Sequence, residues 1–418
     1  MNTSEVNTTG ICIQCSAQLV VDDVFCESCG APTGIRPPET IAETTTTPTM
    51  STATGAAAVS PSAGDASQTL PNPVVRICVD CKGLIAQDGY CSSCGAKGRS
   101  ERDHWNEQPV PWAAAVCDRG IRHHRNEDAV ALAAAEEPGS FAALVVCDGV
   151  STSSNSDVAS LAAVHAAVAV LRACADGRSP LAQSGAMRPG AAGTKSGEWK
   201  PPLISARPLS GVASETSESV ATRLVSISSA IERAGADAQA VVAAVTATEL
   251  SEHPSPPSCT FVVAVLLDSL IVTGWVGDSR AYWLPDEGGA ELLSIDHSVA
   301  TEMMRAGATR VAAESSADAH AITRWLGVDT PNSVPQIGTT TVRSSGWLLV
   351  CSDGLWNYCS DPFAVDALVR ELSEPLIASP VETADPCELG EAMVAWANTQ
   401  GGHDNISVVL ARVPAPKA

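Results

Sequence analysis

Four aspartates stand where apolar, strand-like runs begin or end, and no other feature restricts the fold as strongly. The run from Phe141 to Cys147 is short, apolar and closed by Asp148-Gly149, which reads as a buried strand ended by a turn. Asp278 follows Trp275-Val276-Gly277, Asp353 follows Val350-Cys351-Ser352, and Asp404 stands just before Ile406. One Asp-Gly after a strand is ordinary turn chemistry. Four carboxylates in the same setting put acidic groups on rigid elements at the edge of a core, which suits a multi-metal site with oxygen ligands.

Composition narrows what surrounds such a site. A chain of 418 residues has room for one large domain and small modules. Hydrophobic residues make up 45% but aromatics only 4%, so Ala, Val and Leu must supply most of the core. A formal net charge of −22 argues against a general nucleic-acid binder, whose phosphate contacts need Lys and Arg. No run approaches the roughly 18 apolar residues of a membrane span. Residues 1–10 lack a secretory pattern, so a cytoplasmic protein without membrane contact is expected.

The cysteines divide by position. Cys12-x-x-Cys15 and Cys26-x-x-Cys29 form one set, and Cys78-x-x-Cys81 and Cys91-x-x-Cys94 repeat it. Each set offers four thiolates, enough for one closed tetrahedral site, so two structural Zn²⁺ ions are expected. The repeats resemble short zinc ribbons of the double-zinc-ribbon type. Disulfides are disfavoured without an export signal, and no βαβ pattern suggests a redox pair. Cys147, Cys259 and Cys351 lie in apolar runs and read as small hydrophobes. The expected layout is ribbon 1 at 10–31, a Thr/Ala/Ser/Pro linker at 32–75, ribbon 2 at 76–97, a linker at 98–111 and the main domain at 112–415. Within that domain, residues 176–215 read as a disordered insertion.

Strands are expected at 113–118, 129–133, 141–147, 259–267, 270–276, 281–284, 291–293 and 406–413. Residues 336–342 and 346–351 are expected to form a hairpin. Helices are expected at 157–175, 218–250, 298–306, 362–372 and 388–398. This order suggests two antiparallel sheets covered by helices.

The motifs then come in a fixed sequence: Arg125-Asn126-Glu127-Asp128, Asp148-Gly149, Gly277-Asp278-Ser279-Arg280, Ser352-Asp353-Gly354-Leu355-Trp356, and Gly402-His403-Asp404-Asn405-Ile406-Ser407. Together they resemble the metal-dependent PPM (type 2C) Ser/Thr protein phosphatases over about residues 113–413. The resemblance implies an α+β fold, a four-layer α-β-β-α sandwich. It implies hydrolysis of phosphoserine and phosphothreonine by a water bridging two Mn²⁺ or Mg²⁺ ions, with a third ion in some members. Oxygen-only ligands suit those metals. By resemblance, Asp148 bridges both ions, the Gly149 carbonyl binds one, Asp353 and Asp404 hold the other, and Asp278 serves the third. Glu127 and Asp128 orient metal-bound water, and Asn405 supports the Asp404 loop.

Two positions depart from the family pattern. His123 stands where many members carry a phosphate-binding Arg, and it cannot copy that planar fork. Arg122, Arg125 or protonated His123 must take over. Val150 stands where eukaryotic members often have a His, so leaving-group protonation falls to water or His123. Phosphoprotein substrates including a Ser/Thr kinase are the expected partners, with the ribbons as protein-docking or regulatory modules. The competing reading is a low-activity phosphoprotein sensor or scaffold of the same fold.

Overall fold

The computed structural model describes residues 8–11, 18–20, 77–78, 81–86, 89–95, 98–175, 220–247, 255–376 and 383–416. Cys12, Cys15, Cys26 and Cys29, the linker at 32–75 and the insertion at 176–215 lie outside the described residues. The chain divides into a unit at Met1–Asn72 and a unit at Pro73–Ala418. In the first, β1 (Thr8–Ile11) pairs antiparallel with β2 (Gln18–Val20).

The second unit carries everything else. A 3-10 turn at Glu101–Asp103 leads into β3 (His104–Val110), β4 (Ala113–Asp118), β5 (Ala129–Ala134) and β6 (Phe141–Cys147). Helices α1 (Ser156–Ala175) and α2 (Val220–Ala247) follow, then β7 (Phe261–Leu267), β8 (Leu270–Val276), β9 (Arg280–Pro285) and β10 (Glu291–Leu292). Short helices α3 (Val299–Arg305) and α4 (Arg310–Glu314) precede β11 (Gln336–Thr341) and β12 (Gly346–Cys351). The chain closes with α5 (Asp353–Trp356), α6 (Pro362–Ser373), α7 (Pro386–Gln400) and β13 (Ile406–Val413). The strands form two antiparallel sheets, ordered β10-β9-β12-β13-β4-β3 and β11-β8-β7-β6-β5.

Period-two alternation explains why strands such as β6 are apolar throughout. Phe141, Ala143, Val145 and Cys147 face α1 and α2, whereas Ala142, Leu144 and Val146 face the other sheet. The outer face of that other sheet, with Tyr282, Leu349 and Leu410, is covered by α5, α6 and α7. The layers are therefore α-β-β-α, as expected. Helix α1 is long and apolar enough to cross a membrane by length and composition. Here its Ala159, Ala163, Ala167 and Leu171 pack into the core against β5 and β6.

Two expectations are corrected. Residues 336–342 and 346–351 are not a hairpin: β11 pairs with β8, while β12 lies between β9 and β13 in the opposite sheet. The short connection crosses the sandwich instead of folding back. Residues 104–110 are not linker but the edge strand β3, which pairs with β4. Their polar outer face hid the strand, as edge strands often do.

Leu144 is fully buried between the sheets. Leu144→Ala is expected to cost about 3 kcal/mol in urea unfolding, with an unchanged m-value. A loss below about 1 kcal/mol would mean the inter-sheet core collapses to fill the space.

Candidate active site

The strand registers bring the predicted aspartates to one end of the sandwich. Ala129 pairs with Cys147, so Asp128 and Asp148 are the next positions on adjacent strands. Cys351 pairs with both Arg280 and Val408. Two residues further along the same ladders come Asp353 and Asp278 on one side and Ile406, after Asp404, on the other. Both sheets thus contribute carboxylates to a common space.

Local contacts fix each one. The Asp148 N–H donates to Thr260 Oγ1 at 2.9 Å, and the Asp148 carbonyl accepts from Thr260 N–H at 2.7 Å. A Cβ on Gly149 would lie 2.6 Å from the Glu127 carbonyl oxygen, so only glycine lets those two loops approach. A Cβ on Gly354 would lie 2.0 Å from the Asn405 carbonyl oxygen, which explains the glycine after Asp353. Asn405 ties the remaining loops. Its Oδ1 accepts from Glu127 N–H at 2.7 Å, and its Nδ2 donates to the Arg119 carbonyl at 2.7 Å and the Arg125 carbonyl at 3.1 Å. Beside Asp278, Arg280 forms a buried forked pair with Asp296, reaching 2.6 Å, and stacks 3.6 Å over Trp356.

The electrostatics of the cluster are dominated by burial and mutual repulsion of its carboxylates. Burial, and then the carboxylates of Asp128, Asp353, Asp404 and Asp278, push Asp148 well above the usual carboxylate range. Asp353 is raised in the same way by burial and by Asp404, Asp278 and Asp128. Burial and then Asp296 push Asp278 up to about 7, and burial with Asp404 takes Asp128 to about 6. Asp404 is raised too, chiefly by burial. Both carboxylate oxygens of Asp128 and Oδ1 of Asp353 are buried without a hydrogen bond. The nearby hydroxyls are turned elsewhere: Ser352 Oγ donates to the Asn405 carbonyl, and Ser407 Oγ pairs with Cys117 Sγ. Orphaned oxygens among mutually repelling carboxylates fit hard divalent cations.

The other expected residues separate into two groups. Glu127 is 3% exposed, and its carboxylate accepts from Arg125 Nε and Nη2 at 3.0 and 2.7 Å and from Ser156 Oγ. Burial pushes Glu127 up, but hydrogen bonds from His123, Ser156 and Arg125 outweigh it and hold the carboxyl at about 2. Arg125 is thereby committed to Glu127. His123 lies between the two carboxylates, with Nδ1 3.6 Å from Glu127 Oε2 and Nε2 3.2 Å from Asp404 Oδ1. Its bond to Glu127 raises its pKa against the effect of burial. Arg122 is exposed, and its guanidinium makes no ion pair among the described residues. Asp128 carries more of the site than the motif alone suggested. Its signal was present, since it stands at the start of β5 just as Asp148 stands at the end of β6.

A second cluster lies at Cys78, Cys81, Cys91 and Cys94, whose Sγ atoms all lie within 4.8 Å of one another. Two tight turns create it. Cys78 N–H donates to the Gly83 carbonyl at 2.8 Å, and Gly95 N–H donates to the Cys91 carbonyl at 2.9 Å. Sγ separations of 3.7 Å for Cys78–Cys94 and 3.4 Å for Cys81–Cys91 are too long for disulfides. A tetrahedron with Zn–S bonds of about 2.3 Å has edges of about 3.8 Å, so the four thiols fit zinc.

Comparison with known proteins agrees with the fold. Residues 120–385 match the family described as Protein phosphatase 2C, and the chain belongs to that family. It is 32% identical over 152 residues to the protein phosphatase PhpP of Streptococcus pneumoniae, covering 36% of this chain and 56% of that protein. The serine/threonine phosphatase stp of Listeria innocua is also 32% identical over 152 residues, covering 36% and 55%. The chain thus spans about half the length of the curated relatives it matches. A bacterial serine phosphatase of known structure shares the fold with a TM-score of 0.51 at 19% identity, over 73% of this chain and 99% of that one.

The raised aspartates give the metal-free protein a defined pH response. A carboxyl raised in the folded state binds more protons there than when unfolded, so stability falls as pH rises from 3.8 toward about 7. Glu127 acts in the opposite sense, but only below 4.5. A divalent cation bound there would relieve the repulsion, so the gain in Tm on adding Mn²⁺ is expected to be larger at about pH 7.5 than at about pH 5. An equal gain at both would show that the aspartates do not bind it.

Proposed function

We propose that this chain is a Mn²⁺- or Mg²⁺-dependent protein serine/threonine phosphatase that hydrolyses phosphoserine and phosphothreonine in proteins. The observation that carries this reading is the set Asp128, Asp148, Asp278, Asp353 and Asp404 at the ends of rigid strands, Asp128 and Asp278 buried and the other three half-buried, with orphaned oxygens on Asp128 and Asp353. The names of the matched relatives support the substrate class. Asp148, the Gly149 carbonyl, Asp353 and Asp404 would hold two ions, and Asp278 a third. The ions would supply Lewis-acid neutralisation of phosphate charge and a water activated at neutral pH.

The chain's own side chains do the rest. Arg125 and Ser156 lock Glu127 as an acceptor facing His123. His123, held between Glu127 and Asp404, would give its Nε2 proton to a phosphate oxygen or the departing alkoxide by turning it away from Asp404. Arg122, with no partner to give up, binds the phosphate dianion at the rim. Retention of every metal-site aspartate favours turnover over a scaffold that only binds.

The Cys78/Cys81/Cys91/Cys94 module would hold one structural zinc, and Cys12/Cys15/Cys26/Cys29 a second. Exposed Ile77, Leu84 and Tyr90 on the described module suit protein contacts, a phosphorylated Ser/Thr kinase among them. A cytoplasmic, reducing setting belongs to this reading, since Cys147 and Cys259 touch yet remain unpaired thiols.

Hydrolysis of a phosphothreonine peptide tests the proposal. Turnover is expected with Mn²⁺, none with EDTA, and a fall in kcat of more than about 100-fold in Asp148→Asn. Binding of Mn²⁺ and peptide without turnover would favour the sensor reading. Arg122→Ala is expected to raise KM about tenfold at little change in kcat. An unchanged KM would place the phosphate on another basic group.

A further inference from the structure

The segment between the four-cysteine module and β3 is wired at both ends. On the module side, Gly98 N–H donates to the Gly89 carbonyl at 2.7 Å, so the departing chain folds back onto the knuckle. One residue on, Arg99 pairs with Asp118 at 3.5 Å, at the end of β4 where the catalytic loop begins. The 3-10 turn that follows is closed by a reciprocal cap, Ser100 N–H and Oγ both bonding the Asp103 carboxylate at 2.9 Å.

Arg102 leaves that turn and enters the active-site loop from behind. Its Nε donates to the Asn126 carbonyl at 3.1 Å, and its Nη2 to the Asp128 carbonyl at 3.3 Å and the Asp157 carbonyl at 2.5 Å. Asn126 Nδ2 answers by donating to the Arg102 carbonyl at 3.1 Å. Asp103 pairs with Arg119 and accepts its N–H at 2.7 Å. The fork therefore grips the backbone on both sides of Glu127 and joins it to the first turn of α1. Arg102 and the rest of the strap lie before residues 120–385, the stretch that matches the family, while the carbonyls they hold lie within it.

We propose that Gly98–Asp103 is a strap through which the zinc-loaded four-cysteine module positions the Asn126–Asp128 backbone, with Arg102 as the positioning residue. This rests on the metal-dependent phosphatase reading above. Asp128 presents two unbonded oxygens to the acidic cluster, so a shift of its backbone moves groups facing the ions. The module and the catalytic domain are then one working unit, not the separable parts the sequence suggested.

The test uses the full chain and reads Mn²⁺ affinity by calorimetry, Tm, and kcat and KM for a phosphothreonine peptide. Arg102→Met is expected to weaken Mn²⁺ binding about tenfold and lower kcat, with KM within about twofold. Arg102→Lys keeps the charge but not the fork, and restores part of the loss. Cys91→Ser, with zinc content measured, is expected to weaken Mn²⁺ binding by about fivefold. Wild-type Mn²⁺ affinity and kcat in Arg102→Met would overturn the role of Arg102. Wild-type Mn²⁺ affinity in zinc-free Cys91→Ser would overturn the coupling. Should Arg102→Met not fold, Arg102→Lys and chelation of zinc from the wild-type protein give the same two comparisons. A wild-type protein that binds Mn²⁺ but turns nothing over would reject the phosphatase reading, while calorimetry still decides the strap.

Discussion

Repulsion among five aspartates is the force the fold has to contain. Each carboxylate would lower its free energy by moving apart or by taking a proton, and burial, then this repulsion, raises their pKa values. Strand ends prevent the first. Asp128, Asp148 and Asp353 each adjoin a strand whose backbone is hydrogen-bonded on both sides in the middle of a sheet or beside one that is. Sheet rigidity thus holds the carboxylates together, and the helices on either face serve to bury the outer surfaces of those sheets.

Around this cluster the polar residues work in relays. Asn405 gathers Arg119, Arg125 and Glu127 from one side, while Arg102 grips Asn126 and Asp128 from the other. Arg125 spends its charge on Glu127, so the two remaining basic groups of that loop differ in setting. His123 is fixed between Glu127 and Asp404, and Arg122 is exposed.

Much of this was legible in the sequence, for local reasons. Runs such as Phe141–Cys147 are short, apolar and stopped by Asp-Gly, so their ends and their aspartates could be placed from neighbours alone. What failed depends on distant partners. The connection from β11 to β12 is short enough to imitate a hairpin, and only the rest of each sheet reveals that it crosses the sandwich. Strand β3 is polar on one face and contains Pro109, so it lacks the pattern of a core strand. Arg102 belongs to no motif, and its three carbonyl partners come from two other segments. Arg125 looked available for phosphate because its bond to Glu127, two residues away, is set by the turn between them.

The inter-sheet core sets seven alanines, Ala113, Ala115, Ala134, Ala142, Ala264, Ala281 and Ala411, against larger Trp112, Trp275, Trp283 and Leu144. Large side chains fit only opposite small ones, so the spacing of the sheets is set by where the methyl groups stand. Since Asp128 and Asp148 ride on one sheet and Asp353 and Asp404 on the other, that spacing is also the gauge of the acidic cluster. A single added methylene in this layer would act as a shim, widening the jaws of a vice whose grip is felt only at its far end.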